Sequence, residues 1–121
     1  MYSVIARRPL DNKSLIGYDV NMSRIRKTDT FQAWYEKLKD TRAKARIDMR
    51  IERLDEGNPG YCEPIGKGCS EMKIDYGPGY RVYFKDTGKV IIVLLCGGDK
   101  STQSKDIKKA LELAENLEEF L

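Results

Sequence analysis

Apolar side chains recur at helical spacing in three stretches of the chain. The first predicted helix carries an aromatic-rich stripe at positions i, i+3, i+4 and i+7: Phe31, Trp34, Tyr35 and Leu38. The second repeats apolar residues on one face: Ala43, Ile47, Ile51 and Leu54. The last begins near Ser104 and buries Ile107, Ala110, Leu111, Ala114 and Leu117. Residues 28–30 and 40–41 offer N-cap side chains, so the pattern predicts two N-terminal helices and one C-terminal helix.

The middle of the chain shows strand periodicity. Residues 71–76 and 80–85 alternate between apolar and polar side chains, and Gly77-Pro78-Gly79 lies between them as a turn. Residues 90–95 are continuously apolar, which is typical of a central strand that is covered on both faces. The sequence therefore predicts an antiparallel hairpin followed by a buried strand.

Three other segments carry weaker signals. Residues 23–27 fit a short edge strand. Residues 57–68 are punctuated by Gly and Pro, and residues 97–102 are Gly-rich and polar, so both segments are predicted to be loops.

The first 22 residues differ from the rest because they show no sustained period. We interpret residues 1–22 as a loosely ordered N-terminal extension of a domain that spans residues 23–121. A short strand fits Tyr2, Val4 and Ile5. Met22 is an alternative start to Met1.

The three-residue turn gives the hairpin an expected register. It sets Lys73 opposite Tyr83 and Asp75 opposite Arg81 across the two strands. Since side chains alternate between faces along a strand, the polar residues share one face and are expected to point away from the core. They are Glu71, Lys73, Asp75, Arg81, Tyr83 and Lys85.

This polar face suits contact with RNA. The guanidinium of Arg81 can hold a phosphate through two parallel hydrogen bonds, and Lys73 can stabilise the charge that develops when a 2′-hydroxyl attacks that phosphate. Tyr83 can stack on a base, and Lys85 adds a further cation. The alternative is an ordinary solvated face, on which opposite charges pair across strands and contribute about 0–1 kcal/mol.

Two further groups of cations have both a functional and a structural interpretation. Lys100, between the buried strand and the last helix, is either a functional cation or a solvated loop lysine. The second helix carries an arginine stripe: Arg42, Arg46, Arg50 and Arg53. Arg46 and Arg50 are candidates for following a phosphate backbone. The alternative is a charged helix face that acidic neighbours balance.

Composition narrows the classes of function. The 121 residues suit one domain, and the net charge of +3 is unevenly distributed, since residues 1–53 hold 13 Lys and Arg against 7 Asp and Glu. Without histidine, His-based catalysis and most zinc sites are excluded, so no metal or cofactor is expected. Three cysteines without a framework predict reduced thiols and a cytoplasmic location. No apolar run approaches the ~18 residues of a membrane span.

Two long motifs resemble a known family. They are residues 73–84, Lys-Ile-Asp-Tyr-Gly-Pro-Gly-Tyr-Arg-Val-Tyr-Phe, and residues 94–103, Leu-Leu-Cys-Gly-Gly-Asp-Lys-Ser-Thr-Gln. Together with residues 31–34 and 46–58, they are similar to the addiction-module killer proteins, a HigB-like branch of the RelE superfamily of bacterial toxins. The resemblance extends from about residue 23 to about residue 114.

The resemblance implies an α+β, RelE-like fold, with two N-terminal helices packed on a small antiparallel sheet and a C-terminal helix. It implies the toxin of a type II toxin–antitoxin module, a ribosome-dependent mRNA endoribonuclease that needs no metal and inhibits translation. It also implies a HigA-like helix-turn-helix antitoxin as partner, with operator DNA bound only by the pair. The catalytic cations of the family fall on Lys73 and Arg81, and a third basic position falls near Lys100.

A function without catalysis is an alternative to the endoribonuclease. Many relatives carry a second lysine where this chain has Glu71, and the last helix lacks the Tyr or His that many relatives use in proton transfer. The alternative is a non-catalytic module that binds RNA, the ribosome or the antitoxin and acts as a co-repressor.

Overall fold

The computed structural model describes residues 2–3, 23–88 and 90–117. The strands are β1 (Tyr2–Ser3), β2 (Ile25–Thr28), β3 (Cys62–Gly66), β4 (Cys69–Ile74), β5 (Tyr80–Asp86) and β6 (Ile92–Asp99). The helices are α1 (Asp29–Lys37), α2 (Thr41–Asp55) and α3 (Gln103–Glu115), and a 3-10 turn at Lys100–Thr102 precedes α3. The sheet order is β1-β2-β6-β5-β4-β3. Strands β2 and β6 pair in parallel, and the other neighbours are antiparallel.

Helices cover both faces of the sheet. On one face, α1 and α2 pack against a cluster that includes Phe31, Ile47, Met72, Val82 and Leu94. On the other face, α3 packs through Ala110 and Ala114 against residues of β4, β5 and β6, namely Cys69, Tyr83, Val93, Leu95 and Cys96. Strand β6 is therefore buried on both sides, and the prediction of a covered central strand is confirmed.

The predicted architecture is wrong. The RelE-like α+β arrangement required two N-terminal helices on a small antiparallel sheet, but the sheet has six strands and is mixed. The parallel pairing of β2 with β6 places residues 25–27 beside the central strand rather than at an edge. In addition, α3 covers a face of the sheet that was expected to be open.

Two segments predicted to be loops contain strand. Residues 62–66 form β3, which pairs with β4 and shows a register shift between Pro64 and Gly66. Gly97 and Gly98 belong to β6. The interpretation of residues 1–22 as loosely ordered, and of Val4 and Ile5 as strand, lies outside the described residues, apart from the short strand β1.

The helix starts follow their capping signals. The hydroxyl of Thr28 accepts a hydrogen bond from the backbone N–H of Phe31 at 3.0 Å, and the carboxylate of Asp40 accepts from the N–H groups of Arg42 and Ala43. These acceptors satisfy backbone donors that the first helical turn leaves unpaired. Within the described part of the chain, no helix has both the length and the apolar character that a bilayer span requires.

Gly97 allows α1 to approach the sheet closely. A Cβ at this position would lie 2.3 Å from the indole of Trp34. We expect Gly97→Ala to lower the free energy of unfolding by about 1–3 kcal/mol, because an overpacked core must shift. Urea unfolding measures this loss. The double variant with Trp34→Phe should recover part of it, and an unchanged urea midpoint for Gly97→Ala would contradict the packing described.

Candidate nucleic-acid interface

The hairpin of β4 and β5 places Lys73 directly opposite Arg81 and Glu71 directly opposite Tyr83. The predicted register is therefore wrong by two residues. The turn is longer than three residues, since pairing stops at Ile74 and resumes at Tyr80. Because a shift of two residues preserves the face of every side chain, the predicted sharing of one face is kept. The two cations become direct cross-strand neighbours.

The expectation of an open, solvated face is wrong for most of these side chains. Glu71 is 1% exposed, Tyr83 is fully buried and Arg81 is 8% exposed. The reason is α3, whose apolar stripe needs a partner and packs on this side of the sheet. Tyr83 consequently has no exposed ring to stack on a base, so the RNA contact predicted for it is wrong.

Glu71 is the centre of a buried polar network. Its Oε2 accepts hydrogen bonds from the hydroxyl of Tyr83 at 3.0 Å and from Nε2 of Gln103 at 2.8 Å. The Nε of Arg81 lies 3.3 Å from the same oxygen, and Nζ of Lys73 lies 3.9 Å from Oε1. One carboxylate thus faces both cations. The repulsion between Lys73 and Arg81, which are opposite each other in the sheet, is offset by this shared anion.

Arg81 is held from two sides. Its Nη1 donates to the carbonyl of Gly79 at 3.0 Å. Its Nε is fully buried, and the alignment toward Glu71 is that of an ion pair rather than of a directed hydrogen bond. With a tenth of its side-chain surface exposed, Arg81 is a fixed source of positive charge beneath the surface. Two of its donor positions face the protein, and the two-pronged phosphate grip predicted for Arg81 stays a prediction that rests on its remaining donors.

Lys73 reaches the surface at the rim of this network. About a quarter of its side chain is exposed, and Nζ lies 3.4 Å from Glu63 Oε1. The ring of Tyr61 lies 5.3 Å from the same nitrogen, and the Tyr61 hydroxyl donates to Glu63 Oε2 at 2.6 Å. Lys73 is thus the member of the predicted pair that a solvent-borne ligand can touch.

The other predicted cations are spread over three places. Lys100 is exposed and borders Arg81, since a Cβ on Gly79 would lie 3.5 Å from both Arg81 Nη1 and Lys100 Cβ. Lys85 is partly buried at the far end of the hairpin, opposite Cys69. Arg46 is exposed and lies over the ring of Tyr76, with 4.6 Å from its Cζ to the ring centroid.

Arg50 has a structural role that could not be inferred from its place in the arginine stripe of α2. Its guanidinium donates to the carbonyls of Lys73 at 2.6 Å, Pro59 at 3.1 Å and Tyr61 at 3.3 Å. These carbonyls engage both Nη1 and Nη2, which gives Arg50 a structural role, and the RNA contact predicted for it stays a prediction. Sequence reasoning also missed Tyr61, Glu63 and Gln103 as members of the site. Of these three residues, only Gln103 could have been suspected from the sequence, because it is the last residue of the motif at residues 94–103.

The chemistry available here is electrostatic. Among the residues that the structure describes, no three His, Cys, Asp or Glu side chains come together as a metal site. The site has the amino groups of Lys73 and Lys100 at the surface and the buried guanidinium of Arg81 as a further positive charge. Fixed cations of this kind bind phosphates and stabilise negative charge that develops during reaction.

Tyr83 couples this network to pH. Burial, with the hydrogen bond to Glu71 second, raises the pKa of Tyr83 above its ordinary value of 10.0. Since the raised pKa favours the protonated phenol in the folded state, its contribution to stability is present below about pH 10 and is lost as the pH rises further. We expect the free energy of unfolding to fall above that pH more steeply in the wild type than in Tyr83→Phe, by about 1.4 kcal/mol per pH unit. Equal slopes in urea titrations would contradict this.

The fold and the site together define a small protein with a mixed sheet between two helical layers. Its cationic rim consists of Lys73 on β4 and Lys100 directly after β6. The chain is 54% identical over 93 residues to a Haemophilus influenzae protein described as "Uncharacterized protein", and the alignment covers 77% of this chain and 94% of that relative. The chain therefore belongs to the same family as that protein. No family model matches the chain, and no solved structure matches it significantly.

Proposed function

We propose that this protein is the toxin of a two-component toxin–antitoxin module and that it inhibits translation by acting on messenger RNA in the cytoplasm. The observation that carries the proposal is the direct cross-strand pairing of Lys73 with Arg81, with Lys100 next to Arg81. The two motifs that resemble HigB-like killer proteins include these same residues. The fold itself gives no support, because the expected RelE-like arrangement was wrong.

The exposure of Lys73, Lys100 and Arg81 determines which of them contacts the RNA. Lys73 and Lys100 contact phosphate oxygens of the RNA, because their amino groups are compact point charges that reach solvent. Arg81, whose side chain is largely buried, adds positive electrostatic potential without contacting the RNA directly. In strand cleavage, the 2′-hydroxyl gives its proton to water and its oxygen attacks the adjacent phosphorus to form a 2′,3′-cyclic phosphate. The bond to the 5′-oxygen of the next nucleotide breaks, and that oxygen takes up a proton from water. The added negative charge on the phosphorane oxygens is what the cationic rim stabilises.

A second candidate function is RNA or ribosome binding without cleavage, with the protein acting as a co-repressor. The buried Glu71 carboxylate favours it, because this anion faces both Lys73 and Arg81 and reduces the field available for catalysis. Both candidates include a helix-turn-helix antitoxin that neutralises the protein and binds operator DNA together with it.

Induced expression separates these candidates. The toxin proposal predicts growth arrest on induction, relieved when the helix-turn-helix protein from the adjacent gene is co-expressed. New 5′ ends in messages, mapped shortly after induction, indicate cleavage, whereas arrested protein synthesis with intact messages indicates binding alone. Normal growth at every level of expression would contradict the toxin proposal.

A further inference from the structure

Tyr61 is an aromatic side chain that water reaches although its surroundings hold it in place. It is 60% exposed, among the most exposed large hydrophobic side chains of the described residues. Its hydroxyl donates to Glu63, its ring lies against Lys73 Nζ, and its carbonyl accepts from the backbone N–H of Lys73 at 3.2 Å. Single exposed aromatic rings are ordinary on protein surfaces, but a ring with this many contacts is preorganised.

Hydrogen bonds from Arg50 connect the segment that carries Tyr61 to β4. The guanidinium of Arg50 donates to the carbonyls of Pro59 and Tyr61 on one side and of Lys73 on the other. Gly60 makes this contact possible, because its φ of +73° favours glycine and a Cβ there would lie 2.9 Å from Arg50 Nη2. Arg50 therefore joins the backbone of Tyr61, which carries an exposed ring, to the backbone of Lys73, which carries the partly exposed cation.

This pairing matches the two chemical parts of a nucleotide. Lys73 suits a phosphate, and a tyrosine ring next to it suits the flat face of a base. Glu63 lies at the hydroxyl end of the ring, so a phosphate is repelled there and a neutral base is not. Lys73 occupies one side of the ring, and the exposed remainder is available for stacking.

We propose that Tyr61 stacks on an unpaired base of the RNA whose phosphate contacts Lys73, and that the site consequently takes single-stranded RNA. This inference rests on the proposed RNA-directed function and names the substrate class of the same site. A base inside a duplex already has neighbours on both faces, so it cannot offer a face to Tyr61 without being extruded.

The test measures binding of a short fluorescent RNA, single-stranded or in a duplex, to the purified full chain at fixed salt. We expect Tyr61→Ala to weaken single-strand binding about 10-fold, and Tyr61→Phe, which keeps the ring, to weaken it by no more than about 2-fold. Met49→Ala, which removes another exposed apolar side chain, should bind as the wild type does. Gly60→Ala keeps the ring but displaces its support, and should also weaken binding.

The outcomes distinguish this inference from the function on which it rests. If the wild type binds neither form of RNA, the proposed function fails and the inference fails with it. If the wild type binds single strands and Tyr61→Ala binds them equally well, only the inference is overturned. Binding of the duplex as tightly as of the single strand would also overturn it. Urea midpoints of the variants confirm that weaker binding does not come from unfolding.

Discussion

We expect Lys73→Met to raise viable counts on induction roughly 100-fold, because the partly exposed cation of the rim no longer stabilises the reacting phosphate. Methionine keeps most of the aliphatic stem that lies beside Tyr61, so the change removes charge more than packing. Lys73→Arg keeps the charge and should retain most of the toxicity. Plating with and without inducer measures both.

A salt titration adds a control that does not depend on growth. If Lys73 neutralises one phosphate of a single strand, Lys73→Met lowers the slope of log affinity against log salt by about 0.7. Lys108→Met is the matched control, since Lys108 is an exposed lysine of α3. The role of Lys73 would be contradicted if both variants were as toxic as the wild type and shared its salt slope.

The second large effect is expected at Glu71, where leucine should lower the free energy of unfolding by about 3–5 kcal/mol. The substitution leaves Arg81 buried without its anion and removes the acceptor of Tyr83 and Gln103. Since a domain of this size is stable by about 5–15 kcal/mol, the loss is a large share of the total. Urea unfolding, monitored by the fluorescence of Trp34, measures it.

Glu71→Gln separates the charge of this residue from its shape. The amide keeps one oxygen as an acceptor, so we expect a smaller loss of about 1–3 kcal/mol. Glu112→Gln, on the exposed face of α3, should leave the urea midpoint unchanged. A Glu71→Leu variant as stable as the wild type would show that the buried network does not hold Arg81 in the way described.

The helices could be predicted because their signals are local. Thr28 and Asp40 lie immediately before the apolar stripes that they cap, and both the capping and the periodicity depend on residues a few positions apart. The central strand could also be predicted, because the continuous apolar run that ends at Leu95 requires cover on both faces.

The sheet could not be predicted in the same way because its pairings are distant in sequence. Nothing near Ile25 indicates that it lies in parallel beside Ile92. The strand at residues 62–66 contains Pro64 and Gly66, which are typical of loops, and its strand character depends on pairing with β4. The hairpin register was missed because the turn uses more residues than Gly77-Pro78-Gly79.

The sequence correctly placed the candidate residues on one face of the sheet, but it did not predict how deeply some of them are buried. Alternation placed Lys73, Arg81, Glu71 and Tyr83 on one face, which the pairing confirms. Alternation does not say whether a helix covers that face, and α3 buries Glu71 and Tyr83 beneath it. The exposed aromatic ring beside Lys73 is Tyr61, which lies in a Gly- and Pro-rich segment without periodicity.

The most direct measurement of the central claim is the change in backbone amide chemical shifts when single-stranded RNA is added to isotope-labelled protein. We expect the largest changes at Tyr61, Lys73, Gly79 and Lys100, with little change on the exposed face of α2 around Met49. Changes centred on the arginines of α2, with the amide of Lys73 unmoved, would contradict it.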